Sequence, residues 1–296
     1  MQIFVNGVRI EVEDSGEKDR VAVLLIPGMA MQLIVWPETM VHQLHQAGYR
    51  VIRLDNRDIG LSQDMADLPA PNLLWFMLQQ KLGLQPKVPY SILDMAHDAI
   101  GILDHLHIKR AHVVGVSMGG MIGQRMCLTA PERALSLTSI MSSSGAKGLP
   151  GPTSEMRRVL FTPPAKPGTD AAYQHALRFV NALAGPGFEH PEGSQKQLVQ
   201  ASLKRSNRPM GAYRQMLAAM ADRERAGLLS RITTPTLVMH GKADPLVPYA
   251  CGEDTAKRIP NAKLHGIEGM GHDMPPGVVN NMMARLVPFL NAHTPL

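Results

Sequence analysis

Ala111-His112-Val113-Val114-Gly115-Val116-Ser117-Met118-Gly119-Gly120-Met121 is the stretch from which the fold can be read. It begins as a valine-rich apolar run, turns at a Gly-x-Ser-x-Gly, and passes into a helical pattern over Gly119 to Thr129 that Pro131 closes. A short, continuous, β-branched run suits a strand buried on both faces, as in a parallel sheet. A serine where such a strand turns straight into a helix takes a strained backbone conformation, and its Oγ stands out at the carboxyl end of the sheet. Its neighbours two residues away must be small, because a Cβ at Gly115 or Gly119 would collide with the tight turn. In a chain with 26 glycines the pattern alone is weak; the strand before it and the helix after it give it force. The segment lacks the Gly-x-Gly-x-x-Gly spacing of a dinucleotide-binding turn.

Further apolar runs flank this one: Val21 to Ile26, Val51 to Leu54, Leu135 to Met141, Thr236 to His240 and Lys263 to Ile267. Asn6-Gly7, between alternating apolar positions, predicts an N-terminal hairpin. Helical patterns cover Pro37 to Ala47 and Ser91 to Leu106. Strand–helix alternation of this kind predicts an α/β fold, a mostly parallel central sheet flanked by helices. The alternation stops after the sixth strand. Residues 145–227 show no strand pattern, open irregularly through Gly145, Gly148, Pro150, Pro163, Pro164 and Pro167, and then read as helices over Ala171 to Leu183, Ser194 to Arg205 and Gly211 to Leu229. Since chain on both sides must complete one sheet, the expectation is a core of 1–144 and 228–296 with a helical cap inserted at 145–227.

A serine hydroxyl attacks a carbonyl only with help from a base, and the base needs a carboxylate to hold its tautomer. In a sheet of this kind the partners follow in the order Ser, Asp, His, each after a later strand. Asp244 occupies the turn after Thr236 to His240, stiffened by Pro245 and Pro248, and His272 follows Lys263 to Ile267 in a loop with Gly269 and Gly271. Ser142-Ser143-Ser144, after the sixth strand, offers no competing carboxylate, and Asp273 reads as a turn former. The expected catalytic set is Ser117, Asp244 and His272. An oxyanion would be held by the backbone N–H of Met118 and, from the loop Ile26-Pro27-Gly28-Met29-Ala30, that of Met29. Gly28, Met141 and Met270 are the expected substrate contacts.

These residues resemble the α/β-hydrolase superfamily over essentially the whole chain. Asp55-Asn56-Arg57-Asp58-Ile59-Gly60-Leu61-Ser62 adds to the likeness, as a loop in which the resemblance implies a structural role, with Asp55 and Arg57 as an ordering pair. Together with Trp36-Pro37 and Gly115 to Gly120, it is similar to bacterial esterases near aclacinomycin methylesterase. Pro27-Gly28 stands where many members have His-Gly, a change that keeps the backbone donor. Serine at the elbow fits acyl chemistry on a small-molecule ester, by contrast with the aspartate of haloalkane dehalogenases. Perhydrolysis, C–C hydrolysis and a receptor role for the pocket remain open beside ester hydrolysis, and the oligomeric state is open too.

Composition narrows the rest. Among 296 residues, Cys127 and Cys251 are too few for a disulfide framework or a thiolate metal site, which suits a reducing cytoplasm. No metal or organic cofactor is expected. The start, Met1 to Gly7, lacks the pattern of a signal peptide, and no run of about 18 apolar residues predicts a membrane span. The net charge of +5 is spread out rather than gathered into the stripe that nucleic acid requires. Methionine is abundant, 20 residues against 13 aromatics, and its concentration near the site loops predicts a deformable apolar pocket.

Overall fold

The computed structural model describes residues 1–162 and 169–295; the prolines at 163, 164 and 167 fall outside them. In chain order the elements are β1 (Gln2–Val5), β2 (Val8–Asp14), β3 (Ala22–Ile26), α1 (Glu38–Gln46), β4 (Arg50–Leu54), α2 (Leu73–Lys81), α3 (Ile92–His105), β5 (Ala111–Val116), α4 (Met118–Thr129), β6 (Ala134–Ile140), α5 (Ser154–Phe161), α6 (Thr169–Leu183), α7 (Ser194–Arg205), α8 (Pro209–Ala221), α9 (Arg225–Leu228), β7 (Thr236–Gly241), α10 (Tyr249–Arg258), β8 (Lys263–Ile267) and α11 (Pro276–Asn291). The strands form one sheet in the order β1-β2-β4-β3-β5-β6-β7-β8. The pairs β1–β2 and β2–β4 are antiparallel and the remainder parallel. The hairpin turn sits at Asn6 and Gly7, both at positive φ, as a tight two-residue connection requires.

The apolar run of β3 shows why the central strands are continuous in hydrophobicity. Ala22, Leu24 and Ile26 enter one buried layer with Ile102 of α3 and Ile122 of α4, and Val23 and Leu25 enter the opposite layer with Leu44 of α1 and Met282 and Leu286 of α11. Period-two alternation thus feeds two cores instead of one core and solvent. The strands follow the sequence expectation closely; β6 stops one residue early because Met141 turns to φ 41°.

The helices follow it less well. The pattern Gly211 to Leu229 is broken into α8 and α9, because the Asp222 carboxylate turns aside to hold both Arg125 and Arg225. Four helices, α2, α5, α10 and α11, escaped the sequence reading. In α2 the reason is plain: Leu73 to Leu78 is a continuous apolar run with no helical period, yet only Phe76 and Gln80 are buried. Asn72 accepts from Leu74 and Trp75 N–H and starts the helix. Among the described residues five helices, α5 to α9, lie between β6 and β7. Among the described residues no helix is long and apolar enough to cross a membrane.

The loop after β4 corrects one expectation. Asp55 and Arg57 both order it, but not by pairing with each other. Asp55 accepts from Leu33 N–H at 2.7 Å, Leu61 N–H at 2.8 Å and Arg205 of α7 at 2.6 Å. Arg57 instead takes Asp98 of α3 with two bonds of 2.6 Å, and Asp58 is held in the same way by Arg214 of α8 at 2.6 and 2.8 Å. Desolvated charges of this kind need full pairing, and each here has it. The effect is to tie α7 and α8 to the carboxyl edge of the sheet.

Candidate active site

Ser117 follows β5 at φ 54°, ψ −119°, a conformation that costs an L-residue free energy and that the surrounding backbone imposes. Its N–H donates to the Ile140 carbonyl at 2.8 Å, and its own carbonyl accepts from the Ser142 hydroxyl at 2.7 Å. The glycines beside it are sterically required: a Cβ on Gly115 would stand 2.1 Å from the Gly119 carbonyl oxygen, and one on Gly119 would stand 2.0 Å from that of Ile26. Ser117 does not cap α4 with its side chain, so Oγ is not consumed by the helix it precedes.

The turn after β7 and the loop after β8 bring Asp244 and His272 together. Asp244 Oδ1 accepts from the N–H groups of Leu246 and Val247 at 2.9 and 2.8 Å, which fixes the carboxylate. Its Oδ2 takes the His272 Nδ1 hydrogen at 2.7 Å. Burial opposes ionisation of Asp244, but a charge on His272, the bond from His272, the nearby His240 and the Val247 N–H outweigh it and bring the pKa down to about 2. An ionised carboxylate only accepts, so Nδ1 is the donor in this bond, and in a neutral imidazole Nε2 is then the nitrogen with the free lone pair. That Nε2 is buried and has no hydrogen-bond partner among the described residues. The His272 loop is seated by its N–H on the Leu183 carbonyl at 2.8 Å, and Gly185 and Gly187 lie against Gly271 and Gly269 too closely for any Cβ.

Gly28 brings the loop after β3 against the serine: a Cβ there would be 3.1 Å from Ser117 Cβ. The loop is pinned from two sides. Asn56 donates to the Pro27 carbonyl at 2.9 Å, and Gln215 of α8, fully buried, accepts from Ala30 N–H at 2.9 Å while donating to the Arg57 carbonyl at 2.9 Å. The Met118 N–H, in the first turn of α4, has no intrahelical acceptor. Among the described residues neither it nor the Met29 N–H donates to a protein atom.

A cavity of about 370 Å³ adjoins the imidazole. Its walls include Met31, Trp36, Val116, Met141, His272 and Met274, with Val180 and Leu183 of α6 and Leu198 of α7 opposite them. Met141 is therefore a wall of the cavity. Met270 is not: it is fully buried with Met239, Val278 and Met282 between sheet and α11, and its carbonyl braces the acid turn by accepting from Ala243 N–H at 3.1 Å. The Met29 and Met118 side chains pack into the layer of α3 and α4, away from the cavity lining. Of the expected methionine wall, Met31, Met141 and Met274 line the cavity.

Several residues of the site went unread in the sequence. His240, fully buried, donates Nε2–H to the Val247 carbonyl at 2.7 Å and lies 3.5 Å from Asp244 Oδ2, bracing the acid from below. Its place four residues before Asp244 was the available signal. Asp273, read as a turn former, pairs with His190 at 2.7 Å on the cavity wall; nothing in the sequence links positions 83 residues apart. Gln215 gave no local signal either. Cys127 and Cys251 are buried free thiols whose pKa burial pushes up to about 12 and about 11, which leaves both thiols unreactive. Among the described residues no group of three His, Cys, Asp or Glu could hold a metal ion.

Comparison with known proteins agrees with the fold. The alpha/beta hydrolase fold family matches residues 21–275. Rhodomycin D methylesterase DauP of Streptomyces sp. (strain C5) is 29% identical over 99% of this chain and 98% of its own length. A poly(3-hydroxyalkanoate) depolymerase of Ectopseudomonas oleovorans is 34% identical over 63% of each chain. Among solved structures, the meta-cleavage product hydrolase CumD from Pseudomonas fluorescens superposes with a TM-score of 0.74 at 20% identity, over 99% of this chain and 98% of that one.

Proposed function

The chain belongs to the alpha/beta hydrolase fold family, and on that premise we propose that it is a serine carboxylic-ester hydrolase working through an acyl-enzyme, with Ser117 as nucleophile, His272 as base and Asp244 as the acid that orients it. The observation that carries the reading is the buried Asp244–His272 pair whose Nε2 is left without a partner, in a fold that sets a strained serine at the carboxyl end of β5 in the same sheet. His272 Nε2 takes the Ser117 proton as Oγ attacks the acyl carbon. The amides of Met29 and Met118 receive the oxyanion, each worth about 3 kcal/mol in the transition state. His272 then protonates the leaving alkoxide, and a water activated by the same imidazole releases the acid.

Residues 145–227 act in this reading as a cap over the carboxyl edge of the sheet, and the cap together with Met31, Met141 and Met274 selects small, apolar esters. The lining supports that choice, since Val180, Leu183 and Leu198 face methionines and Trp36 with few charged groups between them. The likeness to a methylesterase over nearly the full length supports ester over C–C hydrolysis. Two buried free thiols suit a reducing compartment, and we place the protein in the cytoplasm.

The test is hydrolysis of a panel of short methyl and aryl esters by wild type, Ser117→Ala and Asp244→Asn. Wild type should turn over at least some of them. Ser117→Ala should fall to background, and Asp244→Asn should lose about four powers of ten in kcat with the fold retained. Undiminished turnover by Ser117→Ala refutes the assignment.

A further inference from the structure

Six of the large apolar side chains left in solvent fall within one short stretch: Leu74, Trp75, Met77, Leu78, Leu82 and Leu84. Leu74 is 77% exposed and Trp75 56%, so these are not grazing contacts. The stretch is nonetheless firmly held from behind. Phe76 is fully buried, Gln80 of α2 donates to the Met220 carbonyl of α8 at 2.7 Å, and Tyr213 donates to the Pro71 carbonyl at 2.7 Å. At about 100° per residue, Phe76 and Gln80 share the inner side of α2, while Leu74, Trp75, Met77 and Leu78 cover an outer arc of roughly 160°. A monomer rarely exposes continuous apolar ground of this kind without a partner for it.

The charges around the arc state what the partner is. Lys81 lies within it. Lys147 and Arg223 join Lys81, Met77, Leu78 and Met220 around a shallow depression beside the helix. All three cations are exposed, and none enters an ion pair among the described residues; Arg125 and Arg225 nearby, by contrast, both pair with Asp222. From Leu68 to Leu93 the chain has Lys81 and Lys87 and no aspartate or glutamate. The neighbouring acid, Glu224, is engaged by the Gln85 amide.

We propose that α2 and the turn through Leu84 form a docking surface for an anionic lipid membrane. Leucine and methionine on a convex helix enter the acyl boundary, and a tryptophan settles at headgroup depth. Lysines at the rim keep their ammonium groups among the phosphates while their stems stay apolar. Each Lys or Arg brought to such a surface raises affinity about fivefold. A second copy of this chain fits the patch poorly. A two-fold contact would set the patch that carries Lys81, Lys147 and Arg223 against a patch of the same sign with water removed.

The chain carries its own reporter. Of its two tryptophans, Trp36 is 1% exposed and Trp75 is open, so a change in emission on binding reads Trp75. The full-length protein is mixed with vesicles of phosphatidylcholine alone and of phosphatidylcholine with phosphatidylglycerol, and followed by co-sedimentation and by tryptophan emission. The expected result is co-sedimentation with the anionic vesicles and a blue shift of Trp75. Lys81→Glu/Lys147→Glu/Arg223→Glu should weaken binding more than tenfold, and Leu74→Ser/Leu78→Ser should abolish the shift. Both are surface replacements, checked for folding by their thermal melts. No co-sedimentation, equal binding to neutral vesicles, or a blue shift that arises from concentration-dependent dimerisation without lipid overturns the proposal.

Discussion

Asp244→Asn removes a carboxylate that the fold holds at a pKa of about 2, against 3.8 for the group unperturbed. Burial alone would raise that value; His272, His240 and the Val247 N–H reverse it. The side chain is fully buried, so solvent does not dilute these interactions. A drop of this size corresponds to about 2 kcal/mol of folding free energy held by the ionised form. The folded pKa lies below the unfolded one, so between the two values the unfolded chain binds more protons, and stability rises with pH. The contribution is therefore complete above about pH 5, roughly half remains near pH 3, and it is lost as pH falls through the folded pKa. The assay is urea unfolding of wild type and Asp244→Asn at about pH 6 and about pH 3, where the stability gap between them should narrow by about 1 kcal/mol. Asp14, Asp58 and Asp254, also held below the usual carboxylate range, titrate in both proteins and drop out of the difference. A gap that stays constant or widens toward acid refutes the reasoning, because Asp244 would then not be held ionised by its partners.

Gly119→Ala puts a methyl 2.0 Å from a backbone oxygen that has no room to retreat, and should cost about 3 kcal/mol or more, read as a lowered melting temperature. A variant that melts with wild type contradicts the tightness of the elbow. Arg214→Met strands the buried Asp58 carboxylate and should cost roughly 3–5 kcal/mol in urea unfolding, with much of it recovered in Asp58→Asn/Arg214→Met. Gln215→Leu leaves Ala30 N–H and the Arg57 carbonyl unpaired and slackens the loop of Met29; kcat on an activated ester should fall by about tenfold or more with KM little changed. A KM effect alone would mean that Gln215 serves binding and not the oxyanion.

What the residues betrayed in advance follows from how local the physics is. β5, Ser117 and α4 are consecutive, so strand run, small-residue turn and helix all leave marks within one short window, and the strain at Ser117 follows from them. Asp244 and His272 are distant in the chain, but each sits at a strand end that hydrophobicity marks. α2 could not be read, because its outer face is as apolar as its inner one and the period that betrays a helix is missing. The pairs Asp55–Arg205, Asp58–Arg214 and Asp273–His190 were illegible for another reason. A charged residue shows in sequence that it needs a partner, but only folding shows which one. The same limit explains Met270, whose place in a glycine-rich loop suggested a pocket wall and whose side chain went instead to the core.

The central claim is that Ser117 is an activated nucleophile, and covalent capture tests it most directly. The protein is treated with a fluorophosphonate, digested, and the adduct located by mass spectrometry. The account predicts a single stoichiometric phosphonylation on the peptide containing Ser117, lost in Ser117→Ala and strongly slowed in His272→Ala. Absence of labelling at Ser117 in folded wild-type protein, or stoichiometric labelling at another residue, contradicts it.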